Sequence, residues 1–255
     1  MDFKPKLAAF DLDGTLAASK ERMSADMGER LAKLVQKMPV AVMSGAGFPQ
    51  FEKQFLPALP SDTALERLYI FADNAAQCWQ YRHAAWQTVY DHAFTPEEKE
   101  HIMGVLTDAL AEVGLSNTPV RVWGERIEDR GAEIAFSPLG QQAPLDEKEA
   151  WHKDHNDVRK RLHEVLEQKL PDFANAMGGL TTIDITRKGI TKAFGIRELV
   201  KLTGISVSEM LYIGDALEEG GNDYVVVETG VKTREVFGPD ETAKLIEEIL
   251  PHKTL

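Results

Sequence analysis

Two aspartates one residue apart, Asp11 and Asp13 in "AAFDLDGTLAAS", are where this chain most plainly offers chemistry. Side chains at i and i+2 of an extended segment point the same way, so the pair shares one neighbourhood and its charges repel. Gly14 and Thr15 follow and turn the chain. A strand leaving a core through a polar turn accounts for the glycine. A site that needs two carboxylates with a cation between them accounts for the charges.

Such a site needs elements to hold it. Short apolar runs that do not alternate, at 7–10, 40–43, 68–71, 211–213 and 224–227, read as buried parallel strands. Between the first two, residues 24–36 carry Met27, Leu31, Leu34 and Val35 on one helical stripe, and 192–202 and 240–250 read the same way. Strands alternating with helices predict a doubly wound α/β parallel sheet. From about residue 81 to 186 the pattern changes to two long amphipathic helices, 96–113 and 147–170, with alternating segments such as "LTTIDITR". That mixture predicts an α+β module with an antiparallel sheet. The expected organisation is an α/β core of 1–80 and 187–255, with an α+β domain of 81–186 inserted.

In an open α/β sheet, ligands bind outside the carboxyl ends of the strands. Those ends read Asp11 and Asp13, Ser44-Gly45, Asp73-Asn74 and Gly214-Asp215. Mg²⁺ takes hard oxygen ligands, usually one or two carboxylates plus substrate phosphate. Asp11, Asp13 and Asp215 suit it, with Asn222 and Asp223 of "GDALEEGGND" expected in its outer shell. The Ser44 hydroxyl and the N–H groups around Gly45 suit a phosphoryl oxygen. Lys192, near a helix start, opposes the helix dipole unless an anion is near, and Lys188 competes for the same role.

Other signals are excluded or assigned to packing. "SGAG" lacks the third glycine of a dinucleotide loop, and there is no Walker A sequence. His152, His155 and His163 lack the spacing of a metalloprotease helix and are expected on a solvated face. Trp79, Trp86, Trp123 and Trp151 are expected to pack the insert. The single cysteine, Cys78, rules out an intrachain disulfide. With 29 Lys and Arg against 41 Asp and Glu, the net charge of −12 argues against nucleic acid and anionic membranes as partners. No leader and no membrane-length apolar run is read, so a cytoplasmic protein acting on a small molecule is expected.

The ordered motifs resemble those of the haloacid dehalogenase-like superfamily: "DLDGTL", Ser-Gly after the second strand, a lysine before a helix, and "GD" with a later "ND". The aspartate two after Asp11 is similar to the phosphatase and mutase branch. The insert resembles a type-IIB cap, and the overall similarity is to the eukaryotic-type phosphomannomutases, through "GFPQFEKQF", "RGAEIAFSPLG" and "GDALEEGGND". The resemblance implies Asp11 as nucleophile and Asp13 as general acid/base, with Thr15, Ser44, Gly45 and Lys192 (or Lys188) holding the phosphoryl group. It implies Mg²⁺ on Asp11, Asp13 and Asp215, with Arg130, Thr182 and Asp184 facing substrate in the cap. It also implies a candidate homodimer through the cap. Two cap arginines of that family are Gln141 and Lys148 here, an asparagine is Ala135, and an arginine after "DGTL" is replaced by Lys20. Arginine forks suit a distal phosphate and glutamine carries no charge. The expected activity is therefore Mg²⁺-dependent phosphatase action on a sugar phosphate or similar phosphomonoester through an aspartyl-phosphate. A hexose-phosphate mutase is the alternative, and a non-catalytic sugar-phosphate sensor a distant third.

Overall fold

The computed structural model describes residues 3–18, 21–116 and 121–250. It opens with β1 (Leu7–Asp11), α1 (Ala25–Lys37), β2 (Val40–Met43), α2 (Phe48–Gln54) and β3 (Leu68–Ala72), followed by a hairpin of β4 (Gln77–Arg82) and β5 (Ala85–Asp91). Next come α3 (Pro96–Glu112), β6 (Ile127–Asp129), β7 (Glu133–Phe136), α4 (Leu145–Lys169), β8 (Phe173–Gly178) and β9 (Thr182–Arg187). The chain closes with α5 (Lys192–Thr203), β10 (Met210–Gly214), β11 (Lys232–Glu235) and α6 (Pro239–Ile249). Two compact units result: Met1–Asp91 with Ile190–Leu255, and His92–Gly189.

The first unit is a seven-stranded sheet ordered β11-β10-β1-β2-β3-β4-β5, in which β4 alone runs against the other strands. Every residue of β1, β2, β3 and β10 is buried, which is why these runs do not alternate. One face packs α1, α2 and α6 through residues such as Leu31, Phe51 and Leu245. The other packs α5 through Ile196 and Leu199 against Phe71 and Tyr212. Each such side chain contributes about 1.5–3 kcal/mol when fully buried. Register then sets the site: Asp11 lies opposite Met43, Phe10 opposite Ile213, and Met43 opposite Phe71. Asp11, Ser44, Asp73 and Asp215 are thereby brought together at the carboxyl ends of the parallel strands.

Three expectations change here. The insert begins at His92 rather than at 81, because residue 81 lies inside a hairpin that extends the large sheet, with His83 and Ala84 turning it at positive φ. Residues 224–227 are not a strand. Tyr224–Thr229 is a 3₁₀ segment that turns Val226 inward and exposes Tyr224 and Val227. The fifth parallel strand is β11, whose four residues are all exposed at the sheet edge and so carry no apolar run to read. The tryptophans divide: Trp79 stacks on Phe48 at 4.1 Å and Trp86 lies 5.8 Å from it, on the first unit's core. Only Trp123 and Trp151 pack the second unit.

The second unit is a four-stranded antiparallel sheet, β6-β7-β9-β8. Ile134, Phe136, Ile183 and Ile185 pack with Ile102 and Leu106 of α3 and Leu162 and Leu166 of α4. Glu128, Ala135, Asp184 and Ala176 are in register across the strands and share the opposite face. The α4 histidines are not simply solvated. His152 Nδ1 pairs with Leu180 O at 2.9 Å and His163 Nε2 with Asn175 O at 2.8 Å, tying the helix to the β8–β9 hairpin. Buried Arg159 does the same, donating to the carbonyls of Gly178, Gly179, Leu180 and Thr182. Among the described residues, no helix is long and apolar enough to cross a membrane.

Candidate active site

At the carboxyl end of β1, Asp11 is 3% exposed and Lys192, the first residue of α5, is 1% exposed. Lys192 Nζ lies 2.5 Å from Asp11 Oδ1 and 2.6 Å from Asp223 Oδ1. A buried ammonium is costly unless paired, and two carboxylates offset both that cost and the unfavourable helix dipole. Tyr212, inside β10, donates its hydroxyl to the same Asp223 Oδ1 at 2.6 Å. Asp223 thus holds Lys192 in place, and its Oδ2 lies where a Cβ on Gly214 would stand 2.3 Å away.

Asp215 follows β10 and accepts from the Thr15 hydroxyl at 3.4 Å. Between them the chain passes at Gly14, φ +82°, where a Cβ would meet Asp215 Oδ2 at 2.1 Å. Only glycine suits that position, for its backbone and for its clearance. Asp11, Asp215 and Asp223 each bring an oxygen within 4.8 Å of the others. Three carboxylates against one ammonium leave negative charge uncompensated, so a divalent cation that takes hard oxygens fits this donor set. Burial pushes Asp11 up to about 7, against the pull of Lys192 and with the push of Asp223 and Asp215. Burial also raises Asp215, with Asp223 adding to it.

Asp13 is half-buried and accepts from Gln54 Nε2 at 2.9 Å. The loop after β2 places Ser44, whose Oγ accepts from Ala46 N at 3.0 Å, beside Gly45 and Asn74. Asp73, Asn74 and Ala75 all have positive φ, a strained run at the end of β3.

The structure therefore gathers Asp11, Asp13, Thr15, Ser44, Gly45, Lys192, Asp215 and Asp223 at the carboxyl ends of the parallel strands. It separates others. Lys188 is exposed on the second unit, donating to Pro171 O at 2.6 Å, so Lys192 is the lysine beside Asp11. Thr15 turns its hydroxyl to Asp215, and Asp223 binds Lys192. In the "GGND" turn Asn222 is exposed and Asp223 is buried. Lys20 lies outside the described residues. Tyr212 and Gln54 are absent from the sequence reading. Their signals are a hydroxyl in a fully buried strand and an amide in an apolar stripe, neither of which names its partner.

On the second unit, Arg130 pairs with Glu128 at 2.7 Å and with buried Glu133 at 2.6 Å. Asp184 is raised by burial, opposed by Arg130 and Arg159, and packs over Gly178, where a Cβ would stand 2.1 Å from Oδ2. Thr182 donates its hydroxyl to Gly178 O. Gln141 donates to Ala135 O at 3.2 Å, and Lys148 is half-buried in the first turn of α4.

Comparison with known proteins agrees with this architecture. The sequence profile of the eukaryotic phosphomannomutase family matches residues 27–252. The chain is 28% identical to a phosphomannomutase of Saccharomyces cerevisiae, over 96% of this chain and 95% of that one. It is 26% identical to a phosphomannomutase of Spinacia oleracea, over 98% of each. Its fold is similar to a haloacid dehalogenase-like hydrolase from Bacteroides thetaiotaomicron, with TM-score 0.65 and 16% identity over 97% of this chain and all of that one. It is also similar to IMP-nucleotidase of Plasmodium falciparum, with TM-score 0.70 and 18% identity over 97% of this chain and 70% of that one. The carboxylate-and-lysine cluster, the inserted antiparallel unit and the profile match converge: this chain belongs to the eukaryotic phosphomannomutase family of the haloacid dehalogenase-like superfamily, and is a phosphoryl-transfer enzyme.

Proposed function

We propose that the protein is a Mg²⁺-dependent phosphatase acting on a sugar phosphate or similar phosphomonoester through an aspartyl-phosphate. The observation that carries the chemistry is Lys192 bonded to Asp11 at 2.5 Å within a buried carboxylate cluster at the strand ends. Asp11 attacks phosphorus in line, the ester P–O bond breaks, and Asp13 gives its proton to the leaving oxygen. Water then attacks the same phosphorus and returns a proton to Asp13. The bond to Asp11 breaks, and inorganic phosphate leaves. Lys192 favours the ionised form of Asp11 against its burial and counters charge on the phosphoryl oxygens, as do N–H groups of the Ser44–Gly45 turn. Asp11, Asp215 and the Asp13 carbonyl would hold Mg²⁺, which when bound supplies further neutralisation of those oxygens.

Charge on the second unit favours hydrolysis over mutation. A mutase must hold a second phosphate, yet Arg130 is already matched by Glu128 and Glu133, and Gln141 spends its amide on a backbone carbonyl. Family membership favours the second reading, a hexose-phosphate mutase. Under either, Arg130, Lys148, Thr182 and Asp184 are the residues proposed to choose substrate. The test is incubation with Mg²⁺ and mannose 1-phosphate, with and without a hexose bisphosphate, following free phosphate and mannose 6-phosphate. Phosphate release is expected. Isomer formation without phosphate, dependent on the bisphosphate, would select the mutase instead.

A further inference from the structure

The buried face of α2 carries Phe48, Phe51 and Gln54, so an amide occupies a place where the spacing calls for an apolar side chain. Gln54 is 2% exposed and lies in chain between Phe51 and Phe55, both fully buried. An amide in such surroundings is unfavourable unless each end finds a partner. Here each does. Gln54 Nε2 donates to Asp13 Oδ1 at 2.9 Å, and Gln54 Oε1 accepts from Gln50 Nε2 at 3.0 Å, one helical turn earlier. The Gln54 carbonyl also accepts from Met23 N at 2.9 Å, so the backbone carrying the amide is pinned as well.

We infer that Gln54, with Gln50 behind it, is a positioning residue for the proton-transfer aspartate of this enzyme. The relay fixes the sense of the amide: Gln50 supplies a donor to Gln54 Oε1, which leaves the NH₂ end for the carboxylate of Asp13. Asp13 sits in the turn after β1, on a loop rather than inside a strand. The Gln54 amide is one of the contacts that hold its carboxylate in a single orientation. General acid help depends on reaching the leaving oxygen within hydrogen-bond distance, so a carboxylate free to rotate loses rate even though its chemistry is unchanged. The inference rests on the proposed role of Asp13, and the test separates the two.

Purified wild-type chain, Gln54→Met, Gln50→Ala and Asp13→Asn are compared with Mg²⁺ on 4-nitrophenyl, phenyl and benzyl phosphate, with a melting temperature for each. The value of kcat/KM reports the steps up to departure of the leaving group. The 4-nitrophenolate ion leaves without a proton, whereas the benzyl alkoxide needs one. For Gln54→Met, kcat/KM on benzyl phosphate is expected to fall by about tenfold or more, and on 4-nitrophenyl phosphate by about twofold at most. Gln50→Ala shifts the series in the same direction by less, and guards against a packing defect peculiar to residue 54. If Asp13→Asn steepens the leaving-group dependence while Gln54→Met lowers all three substrates by one factor, Gln54 is merely part of the core and the inference is overturned. If Asp13→Asn leaves the dependence unchanged, the acid role of Asp13 fails and the inference falls with it.

Discussion

Replacing Lys192 by methionine keeps most of the side chain's volume and removes one charge from the most enclosed part of the site. In the wild-type chain that ammonium stands 2.5 Å from Asp11 and 2.6 Å from Asp223, with all three side chains at 5% exposure or less. Removing one partner of a buried ion pair costs about 3–5 kcal/mol, because the remaining charge is stranded. Here two carboxylates are stranded, so the upper end of that range is expected at pH 8. The sign with pH follows from proton uptake. Asp11 already titrates at about 7 with Lys192 present, well above the unfolded carboxyl, and loses its main stabilising partner in the variant. The folded variant therefore holds more protons than the folded wild type above pH 7, while the unfolded chains are alike in their carboxyls. Each extra proton is worth about 1.4 kcal/mol per pH unit. Wild-type Asp11 takes up its own proton across pH 7, so the excess averages about half a proton between pH 8 and 6, and about 1.4 kcal/mol of the destabilisation is recovered. Urea unfolding at pH 8 and pH 6 without divalent cation measures both terms. Equal destabilisation at the two pH values, or none at pH 8, would refute the coupling. Turnover should fall by about 10³-fold or more, since both the nucleophile and the phosphoryl oxygens lose a counter-charge.

Three further outcomes are expected. Adding Mg²⁺ should raise the melting temperature more at pH 8 than at pH 5, because protons on the raised Asp11 and Asp215 compete with the cation at low pH; an equal shift at both values would place the cation elsewhere. Ala75, at φ +71°, holds a left-handed backbone that costs a non-glycine residue about 1 kcal/mol. Ala75→Gly should raise the urea midpoint accordingly, and a lower midpoint would argue that its methyl packing against α5 outweighs the strain. Arg159→Leu strips the donors from four hairpin carbonyls and should destabilise the chain by about 2–4 kcal/mol. Hydrogen exchange should rise first at 178–182, and protection retained there would show that the hairpin holds itself.

The amino-acid sequence alone is enough for the paired aspartates at the end of β1, the doubly wound core and the family. Those depend on local signals: unalternating apolar runs, the turn glycine after Asp13, and carboxylates placed directly at strand ends. The sequence also carries five of the six helices to within a residue or two, all but α2, because α1 and α5, for instance, each show an apolar stripe that needs only local spacing to be seen. Tertiary structure decides what depends on partners far apart in the chain. The preference for Lys192 over Lys188 rests on a contact across 181 residues with Asp11, and no local pattern separates two lysines in one polar loop. Thr15, Asp223 and Tyr212 likewise take their roles from the register of β1 beside β10, which turns one hydroxyl onto Asp215 and another onto the carboxylate that holds Lys192. The hairpin Gln77–Arg82 and Ala85–Asp91 joins the large sheet through pairing with β3, although its half-buried alternation is the pattern that marks the insert as well. Alternation reports that one face of a strand is covered. It does not report which sheet the strand joins, and that choice is made by packing.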